Sequence, residues 1–570
     1  MKTLLFVLLI LALASGTYAA IPLATSPSWT SSDNDYATGG GFGDFNGDGY
    51  IDLATGNGQD MARDYNHVYI NQNGILETTA SWASTEQRGF AHLMIGDLNH
   101  DGKPDLAIIT LGIYPSNQDT NPAVIYYNTG SALEHTASWH SHDKYASFDC
   151  DFGDVWGDGN LSMVVSAGDA YNSSNRRVRI YRNRNGVMDT LPSWQGDTLA
   201  SDATRFADLN NDGWLDLIVG HRNRLDVYLN NNGTLPTTPS WTTSNVGWVL
   251  RIAVGDVNKD GWLDVAVASN GQNGDPASFK VFHNNSGTLE TTASWTASIG
   301  GDIYPSCVAF GDVNNNGYPE LAAGSWGSTG IGSGRSIYVF DNAGGTLSTN
   351  YGWSWTNTVS FVSETAVWGD VRNSHVIATA DTVSGNGTRR LWYLKHIPTQ
   401  SFTQALVGGS PVPLSDYCVH PMSGWVSFKN APASGTNNVI FQYTYSYAPD
   451  LAVTNWAASQ GNYLFLNTTA SGTEELAGNG KMENGNRELT IFPNPFKESA
   501  RISYNLSKAS PVSLKAYDLA GRLVETLVHD DQTAGRHEVS WSAKGLPAGI
   551  YLLRMEAGGE NHLSRIIRVK

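Results

Sequence analysis

The 570-residue chain is poor in cysteine and in long apolar stretches, and both shortages limit what it can be. Only Cys150, Cys307 and Cys418 occur, so disulfides cannot be its main covalent support. One disulfide is an alternative, but Cys150 and Cys307 lie in well-separated parts of the chain and we expect buried free thiols. The apolar run from Leu4 to about Ala14 is too short to span a bilayer, and no later segment could do so as a helix, so we expect no transmembrane segment.

Basic residues are also scarce. The chain has 35 Lys and Arg against 53 Asp and Glu, a formal net charge of -18. Nucleic-acid binding needs a basic surface, so we expect no nucleic-acid partner. Helical periodicity is nearly absent, whereas 60 glycines accompany many Asn and Asp residues, which is typical of short strands joined by tight turns. The sequence therefore predicts an all-β protein.

The first nineteen residues have the organisation of a secretory signal peptide. Lys2 supplies the basic start, the apolar run follows, and Ala19 provides a small residue for cleavage, so we assign residues 1–19 to this peptide. A membrane anchor is the alternative, which the shortness of the run disfavours. We expect the mature chain to leave the cytoplasm.

A twelve-residue motif recurs through residues 20–468. It reads GDFNGDGYIDLA from Gly43, returns from Gly96, Ala207, Gly255 and Gly311, and has weaker copies at residues 153 and 369. A tryptophan precedes each copy by about fifteen residues, and a short Val/Tyr strand with an Asn/Gly turn lies between copies. These tryptophans are Trp29, Trp82, Trp139, Trp194, Trp241, Trp295 and Trp355. We expect them to pack between neighbouring units, with sugar stacking as the alternative.

Each unit reads as four strands, and such a unit at a fixed period is typical of a β-propeller blade. The first Trp strand precedes every Asp loop, so it can complete the last blade and close the ring. We expect seven or eight four-stranded blades. We favour eight, with the eighth near Gly424 and lacking a full loop, over seven blades and an insert.

The recurring loop has the oxygen ligands that calcium prefers. In its first copy Asp44, Asn46, Asp48 and Asp52 occupy positions 1, 3, 5 and 9, a glycine at position 6 allows a sharp turn, and Tyr50 at position 7 offers its backbone carbonyl. The corresponding residues elsewhere are Asp97, Asn99, Asp101, Lys103 and Asp105; Asp208, Asn210, Asp212, Trp214 and Asp216; Asp256, Asn258, Asp260, Trp262 and Asp264; and Asp312, Asn314, Asn316, Tyr318 and Glu320. The sequence thus predicts about five structural Ca²⁺ sites, the last one weaker.

The loops at Asp154 and Asp370 depart from this pattern, so we expect no ordinary calcium site in either. A metal-free acidic turn is the alternative for the other five loops. A catalytic metal is disfavoured because each loop fills its own ligand positions, whereas catalysis needs an open one. The motif also lacks the position-12 ligand and the flanking helices of an EF-hand.

These loops and strands resemble the FG-GAP or VCBS repeats of integrin-α-like propellers over about residues 21–468. The resemblance implies calcium binding at the positions named above and a role in binding or adhesion. It covers most of the chain before residue 469.

The C-terminal part differs in composition. Residues 469–487 are polar and Gly-rich and read as a linker, and residues 488–570 contain about seven alternating strand segments, which suggests a small Ig-like β-sandwich. Pro493-Asn494-Pro495-Phe496, AYDLAGRLV, Trp541 and AGIYLLRM resemble the type A C-terminal sorting domain of the type IX secretion system. The resemblance implies contact with that machinery and export to the surface of a Gram-negative bacterium, or into its surroundings. An ordinary accessory sandwich is the alternative.

No HExxH, GxSxG or clustered Cys/His pattern occurs, so we assign no catalytic residue. We expect a calcium-stabilised binding or adhesion module for an extracellular protein or glycan. A polysaccharide lyase or glycoside hydrolase and a non-binding surface-layer protein are the alternatives. Three and five residues before the loops, the polar same-face positions are His92, Asp149, Asp151, Arg205 and Arg251. If these strands line a central channel, the five residues form a candidate site for an anionic or sugar ligand; scattered hydrated residues are the alternative.

Overall fold

The computed structural model of the chain divides into two compact bodies, Met1–Thr469 and Ala470–Lys570, called here the N-terminal and C-terminal bodies. The described residues are 20–112, 121–130, 132–168, 176–272, 274–299, 304–327, 337–356, 361–457, 460–469, 490–492, 496, 499–506, 508–518, 522–547, 549–557 and 560–568. The predicted signal peptide, the predicted linker after residue 469, and residues 493–495 lie outside them.

Within these residues the structure is built from strands, with a single 3-10 turn at Leu414–Asp416, which confirms the all-β prediction. Among these residues, no helix has the length and hydropathy needed to cross a membrane. All three cysteines are buried and free, which confirms that prediction as well.

The four-strand repeat is confirmed by the strand pairing of the N-terminal body. In each repeat unit one strand enters the Asp loop, a second leaves it, and two more complete an antiparallel sheet. In unit 1, Gly43 pairs with Asp52 where the loop begins and ends, and Val68 pairs with Trp82. Strand β1 is Trp29–Thr30; unit 1 has β2 (Ala37–Gly43), β3 (Asp52–Asn57), β4 (His67–Tyr69) and β5 (Trp82–Ala83); unit 2 has β6 (Phe90–Gly96), β7 (Asp105–Thr110), β8 (Val124–Tyr126) and β9 (Trp139–His140).

Units 3 to 6 repeat this order, and units 4 and 5 share one six-stranded sheet because two of their strands are long. Unit 3 has β10 (Cys150–Gly153), β11 (Ser162–Val165), β12 (Arg177–Tyr181), a hairpin of β13 (Asn183–Arg184) and β14 (Val187–Met188), and β15 (Trp194–Thr198). Units 4 and 5 have β16 (Ser201–Ala207), β17 (Asp216–Tyr228), β18 (Trp241–Gly255), β19 (Asp264–Asn270), β20 (Ser278–Phe282) and β21 (Trp295–Thr296). Unit 6 has β22 (Pro305–Gly311), β23 (Glu320–Ser325), β24 (Ile337–Phe340), a hairpin of β25 (Asn342–Ala343) and β26 (Thr346–Leu347), and β27 (Trp353–Trp355).

Unit 7 is interrupted by a separate segment, residues 376–446, which we call the insert. The unit itself consists of β28 (Ser363–Gly369), β36 (Asp450–Asn455), β37 (Tyr463–Phe465) and β1, so the N-terminal Trp strand does complete the last sheet. The insert contains β29 (Val376–Gly385), β30 (Leu391–Tyr393), β31 (Thr399–Val407), β32 (Ser410–Pro411), the 3-10 turn, β33 (Tyr417–His420), β34 (Trp425–Phe428) and β35 (Gly435–Ser446). These strands form two sheets, β29-β35-β31-β32 and β30-β34-β33, around Trp392, Phe428 and Phe441.

The expected eighth unit is therefore wrong among the described residues. Asp450–Asn455 pairs with β28 and is the strand that leaves the unit 7 loop. Its sequence resembles that of β3 because the two strands have the same place in their units. The insert separates it from the start of its loop. The prediction that Trp355 is a repeat tryptophan is also wrong. Val339 pairs with Trp353, the same register as Val281 with Trp295, so Trp353 and not Trp355 is the repeat residue.

The entering strands β2, β6, β10, β16, β18, β22 and β28, called here the inner strands, contact one another in that order, and β28 also contacts β2. Their approach is close: a Cβ at Gly39 would lie 2.8 Å from the Ala91 carbonyl oxygen of unit 2, so only glycine fits there. The apolar core lies between sheets, as where Val68 of unit 1 packs with Leu106 and Tyr126 of unit 2. Each unit thus buries its faces against its neighbours.

The C-terminal body has two sheets, β38-β39-β42 and β41-β40-β43-β44, that share a core around Trp541 and Leu553. Its strands are β38 (Thr490–Phe492), β39 (Ser499–Leu506), β40 (Ser510–Asp518), β41 (Leu523–Gln532), β42 (Gly535–Ser542), β43 (Gly549–Ala557) and β44 (Glu560–Arg568).

Candidate functional site

The Asp loops are compact turns in which the first aspartate organises the backbone. In unit 1, Asp44 Oδ1 accepts the N–H groups of Gly47 (2.8 Å) and Asp48 (3.1 Å), and its Oδ2 accepts that of Gly49 (2.8 Å). Gly49 has a φ of 91°, in the left-handed region that favours glycine. The corresponding glycines of units 2, 4, 5 and 6 share this conformation, so the sharp turn predicted at position 6 is confirmed.

The position-9 carboxylate lies where the loop returns to the sheet, on the first residue of the strand that leaves the loop. Asp52 is fully buried, its Oδ2 accepts the Phe45 N–H (2.9 Å) and its Oδ1 accepts the Asn71 N–H (2.7 Å). Burial raises the pKa of Asp52 and Asp105 to about 7 and that of Asp216 to about 8, with a smaller contribution from the neighbouring loop aspartates. This carboxylate joins the first strand pair of its unit to the third strand.

The donor set of these loops fits a hard cation in its chemistry: carboxylates at positions 1, 5 and 9, an amide oxygen at position 3 and a backbone carbonyl at position 7. Among the residues that the structure describes, no three or more His, Cys, Asp or Glu side chains are grouped so that they could hold a metal ion by themselves. A calcium site would therefore depend on the amide and backbone oxygens as well. Calcium binding stays a prediction.

The two loops expected to lack calcium carry their own counter-charges. In unit 3, Arg182 Nη2 lies 2.7 Å from Asp158 Oδ2, and the insert's Ser427 donates to Asp154 Oδ2 at 2.7 Å. In unit 7, Arg372 Nη2 lies 3.7 Å from Asp450 Oδ1. Asp450 occupies position 9 of this loop, which the sequence did not reveal because the insert separates it from position 1. The negative charge of both loops is thus offset by protein groups.

An asparagine in every unit links it to the preceding one, and sequence reasoning missed this role. In unit 2, Asn128 Nδ2 donates to the Phe45 carbonyl of unit 1 at 2.8 Å. Asn71 of unit 1 makes the same bond to Val371 of unit 7, so the series is continuous around all seven described units. The seven asparagines are Asn71, Asn128, Asn183, Asn230, Asn284, Asn342 and Asn467. Their recurrence before the Asn/Gly turns is a visible signal that could have identified them.

Replacing one of these asparagines should destabilise the ring of contacts. Asn230→Ala removes the bonds to the Val155 carbonyl (2.9 Å) and the Leu215 carbonyl (3.0 Å) and leaves both buried acceptors short of a donor. We expect a cost of about 1–3 kcal/mol, seen as a lower melting temperature in a thermal melt. The neighbouring exposed Asn231→Ala should cost under about 0.5 kcal/mol. Equal effects of the two substitutions would contradict the linking role.

The packing role predicted for the tryptophans is confirmed. Trp82 of unit 1 donates from Nε1 to the Leu133 carbonyl of unit 2 (3.0 Å), and its ring meets that of Tyr126 edge to face with centroids 5.6 Å apart. Trp139 and Trp295 make the equivalent bonds to the next unit. These rings hold neighbouring sheets together.

The five polar residues predicted on the inner strands do come together. Arg251 Nη1 lies 2.5 Å from His92 Nδ1 and also donates to Asp149 Oδ1. Arg205 Nη1 lies 3.6 Å from Asp149 Oδ2 and 4.0 Å from Asp151 Oδ1. The insert adds a sixth member that sequence reasoning missed, His420, with Nε2 at 3.0 Å from Asp151 Oδ1. We call these six residues the inner cluster.

The inner cluster is buried and internally paired. Its side chains are at most 11% exposed. Burial opposes ionisation of Asp149, but Arg251 and Arg205 outweigh it and hold its pKa well below the usual range. Burial and the Arg251 charge lower the pKa of His92 to about 4, and because a guanidinium only donates, His92 Nδ1 is an acceptor. A ligand-binding role for the five predicted residues stays a prediction, and this mutual pairing weakens it.

The insert covers part of the surface formed by the Asp loops, which we call the loop face. Tyr393 Oη accepts the Asp208 N–H (3.0 Å), and Arg390 Nη1 donates to the Gly157 carbonyl (2.8 Å). Two cavities remain between the insert and the loops: one of about 330 Å³ facing units 1, 2 and 7, and one of about 540 Å³ facing units 4 and 5. The loop face is therefore concave where the insert meets it.

Comparison with known proteins places two kinds of module in the chain. The FG-GAP-like repeat matches residues 44–108, 154–219, 208–267 and 256–323, and the secretion system C-terminal sorting domain matches residues 490–570. The chain thus carries FG-GAP-like repeats and ends in a type IX sorting domain, which directs it to the cell surface or the extracellular space of a Gram-negative bacterium.

A search of the curated proteins finds no match. Among solved structures, the V. cholerae biofilm matrix protein Bap1 is similar at 13% sequence identity, over 85% of this chain and 73% of that protein's chain, with a TM-score of 0.31. A TM-score this low supports no conclusion about shared fold or function.

Proposed function

We propose that the N-terminal body is a β-propeller of seven four-stranded blades, stabilised by calcium, and that the C-terminal body is an Ig-like β-sandwich. The cyclic contacts of the inner strands, the completion of unit 7 by β1 and the continuous asparagine series support the propeller. The shared core of the two C-terminal sheets supports the sandwich.

We propose that calcium occupies the five loops with full donor sets. The carboxylates at positions 1, 5 and 9, the amide at position 3 and the carbonyl at position 7 would hold it, with Asn316 and Glu320 replacing two aspartates in unit 6. When bound, calcium supplies charge neutralisation and a link between the two strands on either side of the loop.

The unit 4 loop offers a test of this assignment. The insert's Arg389 Nη2 lies 3.6 Å from Asp208 Oδ2, so it competes with a cation for that carboxylate. Arg389→Gln should tighten calcium binding at one site by about fivefold, since removing a nearby positive charge is worth on the order of 1 kcal/mol. Calcium titration calorimetry measures the change. Arg372→Gln in unit 7 should leave the five affinities unaltered, and an unchanged isotherm for Arg389→Gln would count against calcium at Asp208.

We propose that the propeller is a binding or adhesion module without catalytic activity, displayed at the cell surface. The observation that carries the proposal is the docking of the insert on the loop face, which creates two cavities there. The charged side chains of the inner cluster, by contrast, pair with one another.

A protein and glycan array, probed with the full mature chain in the presence of calcium, tests this function. We expect saturable binding of at least one extracellular protein or glycan, weakened when calcium is chelated. Release of unsaturated or reducing sugar ends from a bound glycan would contradict the non-enzymatic role, and a silent array would contradict binding altogether.

A further inference from the structure

The cavity between the insert and the loops of units 4 and 5 combines features that favour one class of ligand. It has a volume of about 540 Å³ and lies between the insert and the loops of units 4 and 5. This is within the range of ordinary small-molecule sites, about 300–1,000 Å³. Its walls come from two separate parts of the chain, so the cavity exists only because the insert is docked.

The charge of this cavity is opposite to that of the protein. Three basic side chains, Lys259, Arg389 and Lys395, line it against a single carboxylate, Asp256, although the whole chain has a formal net charge of -18. Lys259 comes from the unit 5 loop, and the other two come from the insert. Docking of the insert therefore concentrates positive charge at one place on an acidic protein.

Two of the three basic groups, Lys259 and Lys395, are available to a ligand, whereas Arg389 is paired with Asp208. Lys259 forms no ion pair with the described residues and is exposed. Lys395 Nζ lies 3.9 Å from Asp381 Oδ1 and its side chain is 69% exposed, while Asp381 Oδ2 already accepts the Lys395 N–H (2.8 Å) and the Tyr443 hydroxyl (2.9 Å). The contact between Lys395 and Asp381 is therefore loose, and the ammonium group can turn to an anion in the cavity.

The remaining walls suit a polyhydroxylated body. Trp392 and Tyr393 line the cavity, as do Asn211 and Ser423. Aromatic side chains present apolar surface with a polar edge, and amide and hydroxyl groups pair with sugar hydroxyls. Arginine and lysine recognise carboxylate and sulfate groups by charge-assisted hydrogen bonds.

We propose that this cavity binds an acidic saccharide, one that carries carboxylate or sulfate groups. The proposal rests on the binding function proposed above and names its ligand class. It also relocates the anion site that the sequence suggested at Arg205 and Arg251, since those guanidinium groups pair with Asp149 inside the protein.

Titration calorimetry with the full mature chain in saturating calcium tests the proposal. The probes are an oligogalacturonate for carboxylates, a sulfated dextran oligosaccharide for sulfates, a neutral dextran oligosaccharide of equal length and a poly-glutamate peptide. We expect at least one acidic saccharide to bind, with affinity falling as salt rises, and the neutral saccharide and the peptide to bind at least tenfold more weakly.

Two variants locate the site. Lys395→Gln lies outside every predicted calcium loop and should weaken acidic saccharide binding about fivefold, and adding Lys259→Gln should bring the loss to about tenfold or more. Lys144→Gln, at an exposed lysine outside the cavity, should change nothing. Binding of the acidic saccharide that survives in the double variant would overturn this site while leaving the proposed binding function intact. Absence of acidic saccharide binding, or equal binding of the neutral probe or the peptide, would overturn the ligand class, whereas a silent array would overturn the function itself.

Discussion

Chelation of calcium should lower the melting temperature of the N-terminal body by about 7 °C. For sites with an affinity of about 0.1 mM in about 1 mM calcium, mass action stabilises the folded state by roughly 1.4 kcal/mol per site, or about 7 kcal/mol for five. Unfolding about 450 residues releases an entropy of about 0.9 kcal/mol per degree. Thermal melts in calcium and in EDTA measure the difference.

Variants separate a specific effect of calcium from a general one. Asp101→Asn, at position 5 of the unit 2 loop, should remove about a fifth of the calcium-dependent gain. Asp158→Asn, in a loop whose aspartate pairs with Arg182, should leave that gain unaltered. A melting temperature that does not respond to EDTA would refute the structural role of calcium.

Removing Asp149 should cost the protein about 3–5 kcal/mol, because Asp149→Ala leaves the buried Arg251 and Arg205 without their shared carboxylate. With the unfolding entropy given above, this free energy corresponds to a melting temperature lower by about 3–5 °C. The variant could also fail to accumulate as folded protein. Thermal melts and soluble yield measure it.

A surface ion pair provides the matched comparison. Arg184 Nη2 lies 3.0 Å from Asp189 Oδ2, with the two side chains 55% and 29% exposed, so Asp189→Ala should cost under about 1 kcal/mol. If Asp149→Ala were as mild as Asp189→Ala, the inner cluster would be open to water and available to a ligand, contrary to the burial described above.

The repeat, its four strands and the completion of the last sheet by β1 were predictable because each rests on local patterns that recur in one phase. Turn glycines, alternating strands and the tryptophans all report on the immediate neighbourhood of a residue. The convergence of His92, Asp149 and Arg251 was predictable for the same reason, since equivalent positions of neighbouring units meet where the inner strands touch.

Some contacts between residues that are far apart in the chain could not be predicted from the sequence. Asp450 belongs to the loop that begins at Asp370, but the insert places 79 residues between them, so the strand it starts resembled a new unit. His420 contacts the inner cluster and Arg389 contacts the unit 4 loop, and both residues lie in the insert, which is not one of the repeat units. Comparing the repeat units identifies the contacts that every unit makes, whereas these contacts are made by the insert alone.

The choice of Trp355 failed for a narrower reason. The stretch Trp353-Ser354-Trp355 offers two tryptophans two residues apart, which point to the same face of a strand, and only the pairing with Val339 distinguishes them. Register of this kind depends on the partner strand and not on spacing within the segment.

Counting the calcium ions bound to the mature chain tests the structural role proposed for the Asp loops. We expect about five ions per chain at saturation, and about four in Asp105→Ala, which removes the position-9 carboxylate of unit 2. Equilibrium dialysis with elemental analysis measures both numbers. Absence of bound calcium, or an equal number of ions in the two proteins, would refute calcium binding by these loops.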